Sequence, residues 1–252
     1  MFSIWQLSAR RVLGDPGGRK KQIVRRLKRP VRANCHSHKS RASPVLDLHR
    51  VDDCWLDVGA FTNLTQDHLD YHRSMDAYWS CKKRLFTENL RSGPKKETSV
   101  AVINRDDPKG EELLRIESLR KVSFGTNPDS TLWPEKIHQD QSGISGRIQT
   151  AAGGFDFRSA LVGEHNRENI LCAAAVGAAL DIPLDRIKAG IENVARIPGR
   201  LEAIPDRQGR YVFVDYAHTP DALQNVIEAL RAVSLKNLIC VFGCGGDRDK
   251  GK

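Results

Sequence analysis

TNLTQDHLDYHRSMDAYWSCKKRLF, residues 62–86, is the stretch whose reading decides the fold. An apolar run, Val58 to Phe61, leads into it, and it opens as a short polar turn. That order reads as a buried strand over 55–61 handing the chain to a loop. His68, Asp70 and His72 then fall within five residues, and a pattern carrying Lys82 and Lys83 comes next. Imidazole, carboxylate and ammonium groups so close together suit a metal or phosphate site, and they suit a solvated surface turn equally well. From Met75 to Leu90 the pattern is helical, with Tyr78, Lys82 and Phe86 recurring at i, i+4 and i+8 on one face.

Working outward, SVAVIN (99–104) is a β-rich apolar run, and DDPKGEELLRI opens a helix with Pro108 near its start. A strand end followed by a polar helix start often faces a nucleotide in α/β folds. Asn104, Asp106 and Asp107 read just as well as ordinary capping residues. KVSFG, GISGRIQT and GGFDFRSALVG, within 120–162, are glycine-punctuated alternating runs that predict antiparallel strands. Helices are expected again over 165–180 and 183–195. In GEHNRENILCAAAVGAAL, Asn166 and Asn169 stand three apart and so share a face in the first helical turn. Their amides can both donate to and accept from a purine edge, and N-capping accounts for one of them. YVFVDYAHTPDAL (211–223) is a strand ending at Asp215 and a helix starting at Thr219-Pro220, which places Asp215 where such folds put ligand contacts.

Composition bounds the class. With 252 residues, 40% hydrophobic and 28% charged, the chain can bury one large core or two ordinary ones. No apolar run reaches the roughly 18 residues that span a bilayer. The cysteines at 35, 54, 81, 172, 240 and 244 lack paired C-x-x-C spacing and read as reduced packing residues, with Cys240 and Cys244 about a strand end, in a cytoplasmic protein. The net charge of +9 is unevenly spread: residues 1–44 hold twelve Lys/Arg against Asp15 alone, for +11, and the remainder carries −2. Three readings compete for that segment: a disordered basic tail for nucleic acid or an anionic surface, an organelle transit peptide, or a stretch that is not the native neighbour of residues 45–252. The third is the expectation, because recognisable patterning begins abruptly near Val45.

The motifs together resemble the Mur ligases, ATP-dependent enzymes that build the peptide stem of the bacterial cell wall. The family's T-N-x-x-x-D-H-L-D-x-H segment is matched by Thr62, Asn63, Asp67, His68, Leu69, Asp70 and His72, and its Y-x-x-x-K-x-x-L-[FY] helix by Tyr78, Lys82, Leu85 and Phe86. G-x-x-N-x-x-N-x-x-A-A is matched by Gly163, Asn166, Asn169, Ala173 and Ala174. IPGRLEAI, DYAHTPDAL and FGCGGDRDKGK come after it in the family's order. The resemblance implies an α/β fold: part of a central ATP-binding domain over 45–197, with a parallel sheet flanked by helices and a small antiparallel region. The start of a Rossmann-like C-terminal domain follows over 198–252. It also implies that Lys82 is carbamylated and with His68 holds Mg²⁺, a hard cation that prefers anionic oxygen. ATP is then met by Asn166, Asn169, Arg200, Asp215 and His218. Arg50 would contact a UDP-muramoyl-dipeptide and Arg248 an incoming diamino acid, as in the branch that adds diaminopimelate through an acyl phosphate. A monomer is implied, with no membrane contact and with nucleic acid contact confined to residues 1–44. Folylpolyglutamate synthetases share the lysine but match GCGGDRDKGK and DYAHTPDAL less well.

The sequence departs from the family pattern in two places. Ser40 stands where the family has a metal-binding glutamate, and a hydroxyl cannot supply that charge. No G-x-x-G-K-[ST] phosphate loop precedes residue 62, and Gly246…Gly251-Lys252 is a poor substitute because two aspartates inside it would repel phosphate. The expectation is a partial ligase, inactive by itself. The alternative is a non-catalytic nucleotide-binding remnant whose basic tail holds an acidic partner.

Overall fold

Every residue of the apolar run before Thr62 is buried, on both faces of a sheet, as a parallel strand between helical layers requires. The computed structural model describes residues 6–7, 46–52, 54–64, 74–218, 220–233 and 237–243. Among them seven strands form one sheet in chain order: β1 (Gln6–Leu7), β2 (Val58–Phe61), β3 (Val100–Asn104), β4 (Arg120–Phe124), β5 (Leu132–Asp140), β6 (Gly143–Thr150) and β7 (Gly153–Ser159). The helices are α1 (Met75–Thr87), α2 (Pro108–Leu114), α3 (Glu164–Ala179), α4 (Leu184–Glu192) and α5 (Pro220–Val233).

β2, β3 and β4 are parallel and in full register, with Phe61 opposite Ile103 and Asn104 opposite Phe124. β5 joins them in parallel at Phe124 and Leu132, then β6 and β7 fold back as antiparallel hairpins. The expected antiparallel region is therefore β5 to β7, and β4 corrects it. The run KVSFG comes after the α2 crossover, and a strand–helix–strand unit returns parallel to where it began. Two reversals from β5 leave β7 running in the β4 direction. The turn after β7 therefore starts α3 on the same sheet edge at which β2, β3 and β4 end.

Side chains alternate between two cores. Val58, Ala60 and Val102 face α3 and α4, with Ile170, Leu171 and Ile187 among their neighbours. Phe61, Ala101 and Ile103 face α1 and α2, against Trp79, Phe86 and Leu113. Ser74 caps α1 by accepting from Ala77 N at 3.1 Å, and Asp107 with Pro108 behind it caps α2. Gly177 lets α4 approach closely, since a Cβ there would stand 2.8 Å from Ile187.

Beyond α4 the chain forms a hairpin, β8 (Glu202–Ile204) and β9 (Val212–Val214), paired antiparallel. Asp206 clasps its loop by accepting from Gln208 N, Arg210 N and the Arg210 guanidinium, which pulls its carboxyl down to about 2. The strand end expected at Cys240 does not appear. Residues 237–243 pair with no strand among the described residues, and Ile239, Val241 and Phe242 are exposed. Of the basic N-terminal segment only β1 is described, antiparallel on the outer edge of β2. Among the described residues no helix is long and apolar enough to cross a membrane.

Candidate active site

Helix α1 separates its two neighbouring lysines. Lys82 turns inward, 5% exposed, with Nζ donating to the Asn63 carbonyl at 3.2 Å and lying 4.5 Å from the centroid of the Tyr78 ring. Lys83 turns outward and pairs with Glu112 at 2.7 Å, both about a third exposed. Glu112 also accepts from Trp79 Nε1 and Lys109 Nζ, and the ammonium groups of Lys83 foremost and Lys109 hold its carboxyl below the usual range against the effect of burial. The outer pair is thus a surface network that ties α1 to α2. The inner lysine is a buried amine at the carboxyl end of β2. His68, Asp70 and His72 lie outside the described residues, as do Ser40 and Arg248.

At the start of α3, Gly163 has φ +98 and Asn166 is 1% exposed. The Asn166 amide donates to Val162 O at 2.7 Å, and its oxygen accepts from Asn169 Nδ2 at 3.2 Å. Asn166 therefore braces the helix entry from inside and orients Asn169, which is the more accessible of the pair. The first turn of a sixteen-residue helix offers backbone N–H groups and the positive end of its dipole to an anion.

The IPGRLEAI turn reaches this helix start. Leu201 is 3% exposed at φ +41, a left-handed conformation that leucine rarely adopts. Its side chain packs against Gly163, and its N–H donates to Asp215 Oδ2 at 2.8 Å. Asp215 Oδ1 accepts from Ala217 N at 2.7 Å, so one carboxylate staples the two turns together while keeping lone pairs for a further donor. Arg200 and Asp215 both act electrostatically on His165, whose imidazole is pushed down mainly by burial, so it is neutral at neutral pH. His218 is exposed on the same loop, with Nδ1 2.9 Å from Tyr216 O. Asn166, Asn169, Arg200 and Asp215 thus gather at one junction. Arg50 sits apart in an exposed turn.

Two groups here escaped the sequence reading, although both lie inside the GEHNREN motif: His165 and Glu168. Burial raises the Glu168 carboxyl, and Glu164 and Asp106 add to it against Arg167. A folded-state pKa above the ordinary 4.5 means that the fold retains a proton the unfolded chain has lost, so stability falls as pH rises through that window. Glu168→Gln is expected to raise the urea midpoint at pH 7 and leave it unchanged at pH 4. Equal midpoints at both values would contradict the assignment.

Residues 42–177 match the family model described as the Mur ligase middle domain, and residues 199–252 match that of the Mur ligase, glutamate ligase domain. The chain belongs to the Mur ligase family. It is 47% identical over 211 residues to the UDP-N-acetylmuramoyl-L-alanyl-D-glutamate–2,6-diaminopimelate ligase of Geobacter metallireducens, covering 84% of this chain and 41% of that one. A solved structure of a ligase of the same name superposes with a TM-score of 0.66 at 30% identity, covering 83% of this chain and 42% of its own. The MurF ligase from Thermotoga maritima in complex with ADP shares the fold at a TM-score of 0.60 and 19% identity, covering 74% of this chain and 41% of its own. The chain thus spans about two fifths of the length of such relatives.

Mur ligases are ATP-dependent, and the family implies Mg²⁺. Among the described residues no group of three His, Cys, Asp or Glu side chains could hold a metal ion. The chemistry of Lys82 decides what fits: an ammonium there repels a divalent cation, whereas the same nitrogen carrying a carboxylate presents the anionic oxygen that Mg²⁺ prefers.

Proposed function

We propose that this chain carries the nucleotide-facing part of an ATP-dependent ligase that joins meso-diaminopimelate to UDP-N-acetylmuramoyl-L-alanyl-D-glutamate in the cytoplasm. The observation that carries the reading is the 47% identity, over 84% of the chain, to a ligase bearing that name. In the reaction the substrate carboxylate takes the γ-phosphoryl group of ATP, releasing ADP. The amine of the diamino acid then attacks the acyl carbon, phosphate leaves and one proton is lost.

The roles of this chain's own residues follow from their chemistry. The neutral Lys82 amine attacks the carbon of carbon dioxide. An N–C bond forms, a C=O π pair moves to oxygen and one proton goes to solvent, leaving a carbamate. The carbamate and His68 would hold Mg²⁺, which would supply positive charge against the phosphates. The N-terminus of α3 and Arg200 attract the nucleotide's anionic part, Asn169 meets the purine and Asp215 accepts from ribose, with His218 beside it. Arg50 and Arg248 suit the carboxylates of the two acceptor substrates as planar guanidinium donors. No contact with nucleic acid is needed, and the working unit is a monomer.

Calorimetric titration of residues 1–252 with MgATP, joined to a phosphate-release assay with both acceptor substrates, tests the reading. Saturable binding without phosphate release is expected, because these residues contain no G-x-x-G-K-[ST] loop to cradle the transferred group. Absence of any binding would overturn the nucleotide site. Released phosphate would overturn the expected inactivity of the isolated polypeptide.

A further inference from the structure

The turn that carries Asn63 is gripped at each of its residues by side chains from elsewhere. Thr62 O accepts from Asn104 Nδ2 at 2.7 Å, Asn63 O accepts from Lys82 Nζ at 3.2 Å, and Leu64 N donates to Asp107 Oδ2 at 2.8 Å. Asn104 is the last residue of β3, and the β2–β3 register carries it alongside Thr62. Its amide is spent at both ends, for Oδ1 accepts from Asp106 N at 3.0 Å. Asp107 is likewise shared, with Oδ1 capping α2 through Lys109 N at 2.8 Å. Thr62, Asn104 and Lys82 are each no more than 5% exposed, so water cannot take the place of a lost partner.

We infer that Asn104 and Asp107 are positioning residues for Lys82, fixing the 62–64 backbone so that the Asn63 carbonyl aims Nζ for carbon dioxide capture. Capping alone does not call for this arrangement. Asp107 could cap α2 with one oxygen, and Asn104 has no helix to cap, yet each also reaches a backbone group more than forty residues away. After capture the nitrogen keeps one N–H. The Asn63 carbonyl accepts it, which fixes the direction of the two carbamate oxygens. The inference rests on the proposed carbamylation of Lys82, and the experiment separates the two.

Trace labelling of lysines with acetic anhydride, read by mass spectrometry with and without bicarbonate, reports the reactivity of each amine. Lys121, held elsewhere by Leu114 O at 2.8 Å and Ile116 O at 2.9 Å, is the internal control. In Asn104→Asp an acceptor faces the Thr62 carbonyl, and labelling of Lys82 without bicarbonate is expected to rise roughly tenfold, as for one lost hydrogen bond. Lys121 stays unchanged, and protection of Lys82 by bicarbonate disappears. Asp107→Asn keeps one acceptor oxygen and serves as the milder second variant, with a smaller shift in the same direction. Unchanged Lys82 rates in both variants would overturn the inference, and so would parallel increases at Lys121, which mark general loosening. Lack of bicarbonate protection in the unsubstituted chain would overturn carbamylation instead, leaving the positioning role to be judged on the bicarbonate-free rates.

Discussion

Gly110→Ala is expected to destabilise the chain by more than ~3 kcal/mol, beyond the usual overpacking cost. Alanine in a helix normally gains about 1 kcal/mol over glycine, so propensity predicts the opposite sign. Sterics decide it: a Cβ on Gly110 would stand 1.7 Å from the Asn104 carbonyl oxygen and 2.9 Å from its carbon. That carbonyl belongs to β3 and has little room to retreat, because the Asn104 side chain is tied to Thr62 and Asp106. The first turn of α2 would have to move away, taking with it the Asp107 bond to Leu64. A urea midpoint equal to or above that of the unsubstituted chain would contradict this steric account.

Phe86→Ala is expected to cost ~3–5 kcal/mol, the range for deleting a buried aromatic ring. Phe86 is 0% exposed, and its ring meets Phe61 edge-on with centroids 6.4 Å apart; Phe61 in turn meets Trp79 at 5.5 Å. The three rings seat α1 against β2. Lys82 lies one helical turn before Phe86 on the same face, so the packing that stabilises the fold also buries the amine. Lys83→Ala, at a side chain that turns outward onto Glu112, should cost at most ~1 kcal/mol, since that ion pair is a third exposed. Chemical denaturation of both variants checks the contrast, and equal losses would contradict it.

Local periodicity carried the parts of this fold that depend on local chemistry. The i, i+4, i+8 recurrence of Tyr78, Lys82 and Phe86 marked one face of α1, which the fold buries, and Pro108 marked the start of α2. The alternation in GGFDFRS appears as alternating burial along β7. What sequence left open depends on partners far along the chain. Nothing near KVSFG distinguishes a parallel strand from a hairpin strand, because its direction is set by the α2 crossover before it. Asn166 and Asn169 read as an equivalent pair by spacing, whereas the fold turns the Asn166 amide onto Val162 O and leaves Asn169 the more accessible of the two. Asn104 and Asp107 read as caps because their other partners, Thr62 and Leu64, are 42 and 43 residues distant. The apolar run 237–243 has strand composition but no strand beside it among the described residues, and without a ladder partner its backbone stays outside the sheet.

The ligase reading depends on Lys82 being a carbon-dioxide-capturing amine rather than a buried structural cation. Carbon-13 NMR of the chain in labelled bicarbonate, recorded beside Lys82→Arg, tests that claim most directly, because a guanidinium forms no stable carbamate. A carbamate carbon signal present in the unsubstituted chain and missing from Lys82→Arg is the predicted result; identical spectra from the two proteins would contradict it.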